Sequence, residues 1–274
     1  MELTENLRKK LNSLINFLKG KNVIVAFSGG VDSSLLAFLS KKYAKNTLLI
    51  TEKSILYPEE EIEEASKFGK QYEIKHIIIE RDPLKNNDFQ YSPENRCYLC
   101  KTGLYKEILE IQNSNNYDLI LDGSNADDLM DYRPGMQALK ELKISTPYID
   151  YNINKSEIRE ICKFYELDVQ SKPSMACFSS RIPYNQIISE KKLIMIREAE
   201  KFLKNTFNLK QLRVRLHEGS LARIEFLPED LPYILTVNNM ELIKTKLKEL
   251  GFTYITIDIE GFRSGSMNEV LDLN

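Results

Sequence analysis

Short apolar runs alternate with helical periodicity through the first 170 residues of the chain. The runs have the length and composition of buried strands: Val23–Phe27, Leu48–Thr51, His76–Glu80 and Leu119–Asp122. Between them, apolar residues recur at helical spacing near 33–44, 58–71 and 100–114. This alternation predicts an α/β fold: an open parallel sheet covered by helices on both faces.

Helix-capping residues support two of the predicted helices. Thr4 precedes an amphipathic stretch that ends near Gly20, and Asn154 with Glu157 forms a capping-box pattern at the start of a helix predicted over 155–166. The first 20 residues therefore predict an amphipathic helix and not a signal peptide.

The pattern changes after Pro183. A helix predicted over 190–204 is followed by two alternating segments, LRVRLH and LARIEF, then by a helix over 239–250 and a last strand, FTYITIDI. We therefore predict two domains, 1–184 with the parallel sheet and 185–274 as a smaller C-terminal α+β domain. Alternation in LRVRLH places Arg213 and Arg215 on one face of their strand.

Composition narrows the class of protein. The chain has 274 residues, 42% of them apolar, with 38 basic and 40 acidic side chains. A net charge of −2 provides no whole-chain field for a nucleic acid or an anionic membrane, and we predict neither as a partner. No stretch approaches a membrane span, so we expect a cytoplasmic protein with reduced thiols.

The segment VIVAFSGGVDSS joins a predicted strand to a predicted helix through two glycines. Gly29 and Gly30 let the backbone approach an anion, and the following helix adds free N–H groups. A carboxylate so near a phosphate needs a cation between them, so Asp32 predicts Mg²⁺. The residues predicted to bind phosphate or its metal are Ser28, Gly29, Gly30, Asp32, Ser33 and Ser34.

This loop lacks the spacing of a Walker A or a dinucleotide-binding loop. It resembles the PP-loop of the ATP pyrophosphatases, which adenylate a substrate and release pyrophosphate. The resemblance implies an open α/β sheet with ATP at the carboxyl ends of the strands.

Two further polar loops follow predicted strands. Thr51 and Ser54 come after the second strand, and Gly123 lies after the fourth, in LILDGSNADD, where it would pass under a purine ring. Asp127 and Asp128 would bind metal or order water, although a solvated loop explains both segments equally well without the resemblance. The acidic run 58–64 is interpreted as a solvated helix face.

The cysteines are few and partly clustered. Cys97 and Cys100 have a spacing that suits a redox pair, zinc or an iron–sulfur cluster, with Cys177 as the third candidate ligand. Cys162 lies inside a predicted helix, and we interpret it as a buried thiol of the apolar core. A fourth zinc ligand would have to be His76 or His217, whereas a 4Fe-4S cluster on three cysteines leaves one iron open.

Several segments together resemble the LarE family of ATP-dependent sulfur transferases, which help to build the nickel-pincer nucleotide cofactor of lactate racemase. The matching segments cover nearly the whole chain: AFSGGVDSS, DGSNADDLMDYRPG, ACFSSRIPY, AEKFL, RVRLH, ARIE and DIEGFRSGSMN. One departure is Asn185, which stands where the family has glycine after SRIPY.

The resemblance implies the substrates and the site. The family adenylates a carboxylate of pyridinium-3,5-biscarboxylic acid mononucleotide with ATP, and a sulfur nucleophile then displaces AMP. Arg133 would bind pyrophosphate, and Asp32 and Cys177 would take part directly in the chemistry. The residues expected to surround the substrate are Ser180, Arg181, Glu200, Arg213, Arg215 and Glu225. We also expect a homo-oligomer, with 185–274 as the substrate-binding and oligomerisation domain.

The family obtains its sulfur in two ways. One form sacrifices the sulfur of a cysteine at the position of Cys177, and the other holds a 4Fe-4S cluster with an added sulfide on three cysteines. Because Cys97 and Cys100 match the three-cysteine form, we predict Cys177 as a cluster ligand and not as a sacrificial donor. We also expect sulfide or a sulfur donor as a partner of the protein.

Two other functions fit parts of the pattern. A tRNA-thiolating PP-loop enzyme can also carry a three-cysteine cluster, but it should show a basic groove or an RNA-binding module. A non-catalytic nucleotide-binding protein with a structural zinc at the CxxC is the second alternative.

Overall fold

The computed structural model describes residues 2–130, 132–172 and 176–271. Asp131 of the DYRPG segment and residues 173–175 before Cys177 lie outside the described residues. In chain order the helices are α1 (Glu5–Leu18), α2 (Val31–Tyr43), α3 (Glu59–Gln71), α4 (Asn87–Gln90), α5 (Arg96–Asn115), α6 (Gly135–Glu141), α7 (Pro147–Asp150), α8 (Lys155–Phe164), α9 (Glu190–Phe207), α10 (Leu231–Ile234) and α11 (Val237–Glu249). The strands are β1 (Asn22–Ala26), β2 (Asn46–Lys53), β3 (Lys75–Glu80), β4 (Leu119–Leu121), β5 (Leu212–His217), β6 (Leu221–Phe226) and β7 (Tyr254–Ile257).

The chain forms two compact units. The larger comprises the described residues within 1–54, 58–82 and 95–175, and the smaller those within 55–57, 83–94 and 176–274. The smaller unit includes two short segments from the first half of the chain, which a single boundary cannot separate from the larger unit. The division into domains 1–184 and 185–274 stays a prediction.

The larger unit contains a parallel sheet in the order β3-β2-β1-β4. Val23 and Val25 of β1 pack into one apolar cluster, whereas Ile24 packs into another. Residues of α1, α2, α3 and α8 complete the first cluster, and residues of α5 and α6 complete the second. Because neighbouring strand residues face opposite sides, both faces of the sheet are covered, and the predicted α/β class is confirmed.

The sequence signals for helix ends hold where they can be compared. Asn154 and Glu157 form both hydrogen bonds of the capping box on α8, and Thr4 caps α1. Cys162 is fully buried in the first apolar cluster, as expected of a core thiol, and burial raises its pKa to about 12.

The smaller unit has a three-stranded sheet in the order β5-β6-β7. β5 and β6 are antiparallel, and β6 and β7 are parallel. The predicted segments LRVRLH and LARIEF coincide with β5 and β6. Their register brings Arg213 opposite Glu225, which sets the position of the charged side chains described below.

A buried carboxylate joins α5 to the carboxyl end of β4. Asp122 directly follows β4 and accepts hydrogen bonds from Lys101 Nζ at 3.0 Å, from Ser124 N at 2.8 Å and from the Tyr105 hydroxyl. Burial opposes the charge on Asp122, but Lys101, Ser124 and Tyr105 more than offset it and hold its pKa at about 2. Asp122 therefore fixes the loop that begins at this end of the sheet.

Replacing Asp122 with Asn should lower the free energy of unfolding at pH 7 by about 2 kcal/mol, because it removes a charge whose pKa is depressed on folding. A depressed carboxyl pKa contributes stability above its unfolded value, and this contribution is lost as the pH falls from about 4 towards 2. Urea unfolding between pH 7 and pH 3 should therefore show a gap between the two proteins that narrows below pH ~4.

The exposed Asp118 provides the matched control, since its carboxylate accepts one hydrogen bond, from Asn22 N at 2.7 Å. Asp118→Asn should change stability much less than Asp122→Asn. A gap between Asp122→Asn and the parent protein that stays constant down to pH 3 would contradict the charged network.

Candidate functional site

The turn from β1 into α2 is folded by its own serines. Ser33 Oγ donates to Gly30 O at 3.2 Å and lies 3.1 Å from Ser28 Oγ, while Ser28 N donates to Ser33 Oγ at 3.3 Å. Gly29 has a φ of +71°, which glycine adopts without strain, and Gly30 occupies the N-cap position with no side-chain cap. This end of α2 therefore presents backbone N–H groups and a positive dipole end to an anion.

Gly123 packs closely against the first turn of α2. A Cβ atom at this position would lie 3.1 Å from Ser33 N and 3.3 Å from Ser33 Cα. The predicted approach of Gly123 to a purine ring stays a prediction, and the structure supplies another reason for the glycine. It lets the loop after β4 lie against the first turn of α2.

Asp32 carries an unsatisfied oxygen in the first turn of α2. Its Oδ2 accepts from Lys155 Nζ at 2.5 Å, whereas its buried Oδ1 has no hydrogen-bond partner among the described residues. Burial raises the pKa of Asp32, although Lys155 opposes that shift. A buried carboxylate oxygen without a donor fits a divalent cation, since Mg²⁺ is typically held by one or two carboxylates together with substrate phosphates.

The two other predicted carboxylates of this region are engaged by neighbouring chain. Asp127 Oδ2 accepts from Lys155 N at 3.0 Å, and Asp128 Oδ2 accepts from Asn125 N at 2.9 Å. Arg133 forms an ion pair with Asp128 at 2.9 Å and has a half-exposed side chain. Arg133 thus lies in the same unit as the SGG loop, which consists of Ser28, Gly29 and Gly30. Its predicted role with pyrophosphate stays a prediction.

Thr51 has a structural partner at the end of β1. It lies inside β2, where its hydroxyl donates to Phe27 O at 2.6 Å and lies 2.7 Å from His76 Nε2. Because the single hydroxyl proton is used on Phe27, the ring nitrogen of His76 must be the donor. Burial lowers the pKa of His76, which favours the neutral imidazole with its proton on Nε2. The Ser54 hydroxyl is buried near the Glu52 carboxylate, and its hydrogen bond acts to lower the pKa of Glu52, which burial raises.

Only part of the acidic run 58–64 forms a solvated helix face. The interpretation of the whole run as solvated is wrong for Glu61. Glu61 and Glu64 both bind Lys172 Nζ at 2.7 Å, and the Glu61 side chain is largely buried. Lys155 and Lys172 were not among the predicted site residues. Neither lies in a recognisable motif, and each meets its partners only through the fold.

The CxxC segment lies within the first two turns of α5. Cys97 is exposed and Cys100 half-buried, and their i, i+3 spacing in the helix directs both side chains to one side of it. Both belong to the larger unit, whereas Cys177 belongs to the smaller one. Among the described residues, no three His, Cys, Asp or Glu side chains form a group that could hold a metal ion.

Cys177 precedes a 3₁₀ helix, Phe178–Arg181, and is half-buried with its Sγ 3.0 Å from Ser179 Oγ. Three thiols are a suitable donor set for an iron–sulfur cluster by their chemistry. The assembly of Cys97, Cys100 and Cys177 around one metal centre remains a prediction.

Arg181 holds the loop that carries Cys177. The fully buried Arg181 donates to Ala176 O at 2.6 Å and to Cys177 O at 3.0 Å, and its fork pairs with Glu200 at 2.9 and 3.0 Å. It also donates to Ser180 Oγ at 3.0 Å. These hydrogen bonds occupy most of the N–H donors of Arg181. Arg181 and Glu200 therefore shape the loop that carries Cys177, and their role in substrate binding stays a prediction.

The arginines of β5 are buried among charges. Arg215 pairs with Glu225 at 2.6 Å and donates to Ser180 O at 3.1 Å and to Ser266 Oγ at 3.1 Å. Arg213 lies 5.2 Å from the centre of the Phe262 ring. Burial and the nearby charge of Arg181 lower the pKa of Arg213 to about 10, so an anion here would relieve the crowding of positive charge.

The smaller unit thus brings together all six residues predicted around the substrate, and the larger unit brings together the SGG loop with Asp32, Gly123 and Thr51.

In the part of the chain that the structure describes, no helix is long and apolar enough to cross a membrane.

Known proteins resemble this chain over nearly its whole length. The family model described as NAD synthase matches residues 3–110. An uncharacterized protein of Synechocystis is 37% identical over 97% of this chain and 99% of its own length. An uncharacterized protein of Methanocaldococcus jannaschii is 36% identical over 96% of this chain and 100% of its own length.

A relative with a named activity supports the same relationship. The pyridinium-3,5-bisthiocarboxylic acid mononucleotide synthase of Lactiplantibacillus plantarum is 29% identical over 97% of this chain and 96% of its own length. Together with the SGG turn at the carboxyl end of β1, these relationships show that the chain belongs to the PP-loop ATP pyrophosphatases and is similar over nearly its whole length to the bisthiocarboxylic acid mononucleotide synthase.

Proposed function

We propose that this protein transfers sulfur to pyridinium-3,5-biscarboxylic acid mononucleotide at the expense of ATP. The observation that carries the proposal is the similarity to the bisthiocarboxylic acid mononucleotide synthase over 97% of the chain. The geometry of the SGG loop supports its ATP-dependent half. The predicted homo-oligomer is part of the proposal and stays a prediction.

In the first step, an oxygen of the substrate carboxylate attacks the α-phosphorus of ATP, and the bond from that phosphorus to pyrophosphate breaks. Backbone N–H groups of the SGG loop and the first turn of α2 would stabilise the charge on the phosphates. Asp32 would bind Mg²⁺ through the Oδ1 that has no hydrogen-bond partner among the described residues. Mg²⁺ would supply the charge that lets a carboxylate lie beside a triphosphate.

In the second step, a sulfur nucleophile attacks the carbonyl carbon of the acyl-adenylate. The bond from that carbon to the phosphate oxygen breaks, AMP leaves with the former carboxylate oxygen, and a thiocarboxylate remains. A 4Fe-4S cluster on Cys97, Cys100 and Cys177 would offer an open iron for the sulfur to be transferred. The protein's own contribution is the Arg181–Glu200 pair, which holds the backbone carbonyls of Ala176 and Cys177.

The substrate phosphate would bind at the buried charges of β5. Arg213 and Arg215 form a positively charged region together with Arg181, and two carboxylates partly compensate it. A phosphate would accept hydrogen bonds from an arginine fork, in competition with Glu225 on Arg215. Ser180 is held next to this region by its hydrogen bonds to Cys177 O and Arg181.

Pyrophosphate release tests the proposed activity. Mixing oxygen-free protein with ATP, Mg²⁺ and the dicarboxylate mononucleotide should release pyrophosphate, and omission of the mononucleotide should abolish most of it. Asp32→Asn should slow the release at least tenfold, because it removes the negative charge that binds Mg²⁺. Absence of release in the parent protein, or release stimulated by tRNA and not by the mononucleotide, would contradict this substrate.

Iron and acid-labile sulfide analysis tests the proposed cluster. Protein purified without oxygen should contain about four irons per chain, and Cys97→Ser, Cys100→Ser and Cys177→Ser should each lower the iron content. Cys162→Ala is the control, because this buried thiol lies in the apolar core and should leave the iron content unchanged. Stoichiometric zinc without iron, or loss of the mass of H₂S from Cys177 during turnover, would contradict the cluster.

A further inference from the structure

Lys172 connects the SGG loop to helix α3. Its Nζ donates to Gly29 O at 3.1 Å, to Glu61 Oε2 at 2.7 Å and to Glu64 Oε2 at 2.7 Å. The side chain is 16% exposed. An ammonium group has three protons, and these three acceptors use all of them.

The bond to Gly29 O determines the direction of a neighbouring N–H group. The Gly29 carbonyl and the Gly30 N–H belong to one planar trans peptide, so they point in opposite directions. With the carbonyl held by Lys172, the Gly30 N–H points the other way, towards Ser28 Oγ at 3.3 Å. This is the side on which the loop serines and the start of α2 converge.

A glycine pair needs such an external restraint. Gly29 has a φ of +71°, and glycine changes backbone conformation at little cost, so this peptide can rotate more easily than most. Helix α3 restrains the other side of the turn, because a Cβ at Gly29 would lie 3.5 Å from Ala65 Cβ. Glu61 and Glu64, which hold Lys172, lie in the turn of α3 that leads to Ala65.

Charge argues against direct phosphate binding by Lys172. Two carboxylates already compensate its single positive charge, and they raise its pKa although burial acts to lower it. Lys172, Glu61 and Glu64 together carry a net negative charge, which would repel a triphosphate. The influence of Lys172 on a nucleotide is therefore exerted through the peptide that it holds.

We propose that Lys172 is a positioning residue for nucleotide binding: it fixes the Gly29–Gly30 peptide so that the Gly30 N–H, which donates to Ser28 Oγ at 3.3 Å, lies on the side that faces the triphosphate. This inference rests on the proposed binding of ATP by the SGG loop. It assigns to the lysine, and to Glu61 and Glu64 behind it, the task of preorganising the loop before ATP arrives.

The test compares Lys172→Met with Lys10→Met. Lys10 is a matched control, because its Nζ also binds a carboxylate, Glu157, at 2.7 Å and a backbone carbonyl, Asn152 O, at 2.6 Å, and its side chain is 19% exposed. Isothermal titration with ATP and Mg²⁺ would give the dissociation constant for each protein. Saturation-transfer NMR with adenosine would report binding without phosphates, and urea unfolding would report stability.

Lys172→Met should weaken ATP binding at least tenfold and leave adenosine binding within twofold. Lys10→Met should leave both unchanged, although it should lose a similar amount of stability. Lys172→Arg keeps the charge, and it should recover part of the ATP affinity. If Lys172→Met fails to fold, Lys172→Gln, which keeps a polar side chain but loses the ammonium group, should still weaken ATP binding more than adenosine binding.

Unchanged ATP affinity in Lys172→Met would overturn the inference and leave the proposed function standing. An equal loss of ATP and adenosine binding would also overturn it, since it would indicate general disruption. If the parent protein binds no ATP, the ATP-dependent function itself fails, and the role of Lys172 fails with it.

Discussion

The ATP-binding half of this protein depends on how the backbone turns from β1 into α2. A buried strand delivers the chain to the sheet edge, and Gly29 and Gly30 then expose peptide groups at the start of a helix. The groups that restrain this turn come from elsewhere in the chain. Lys172 holds the Gly29 carbonyl, Gly123 packs against Ser33, and Lys155 holds one oxygen of Asp32.

The smaller unit is organised by buried arginine–carboxylate pairs. Arg181 with Glu200 shapes the loop of Cys177, and Arg215 with Glu225 lies beside the strand pair β5–β6. Buried pairs of this kind contribute little net stability, but breaking one by removing a partner is costly. Their more useful property is direction: they fix the guanidinium groups of Arg181 and Arg215 and the backbone carbonyls of Ala176, Cys177 and Ser180 that these groups bind.

The sheet and its helices were predictable because they rest on local pattern. The β-branched run Val23, Ile24 and Val25, bounded by polar residues and glycines, predicts a buried strand, and Asn154 with Glu157 predicts a helix start. The lysines were not predictable: Lys155 meets Asp32 across 123 positions and Lys172 meets Gly29 across 143, and a lysine in a polar segment carries no local signal of such a partner. The SGG loop was found from sequence because its chemistry is contained in consecutive residues, whereas the packing role of Gly123 required the fold.

The central claim is that a substrate carboxylate, and not water, attacks ATP. Mononucleotide labelled with ¹⁸O in both carboxylates distinguishes the two, because the oxygen that bonds to phosphorus leaves with AMP when sulfur displaces it. Mass spectrometry of the AMP formed in single-turnover reactions should show one ¹⁸O in its phosphate. Unlabelled AMP formed along with pyrophosphate would show that ATP is hydrolysed directly, and it would contradict the account.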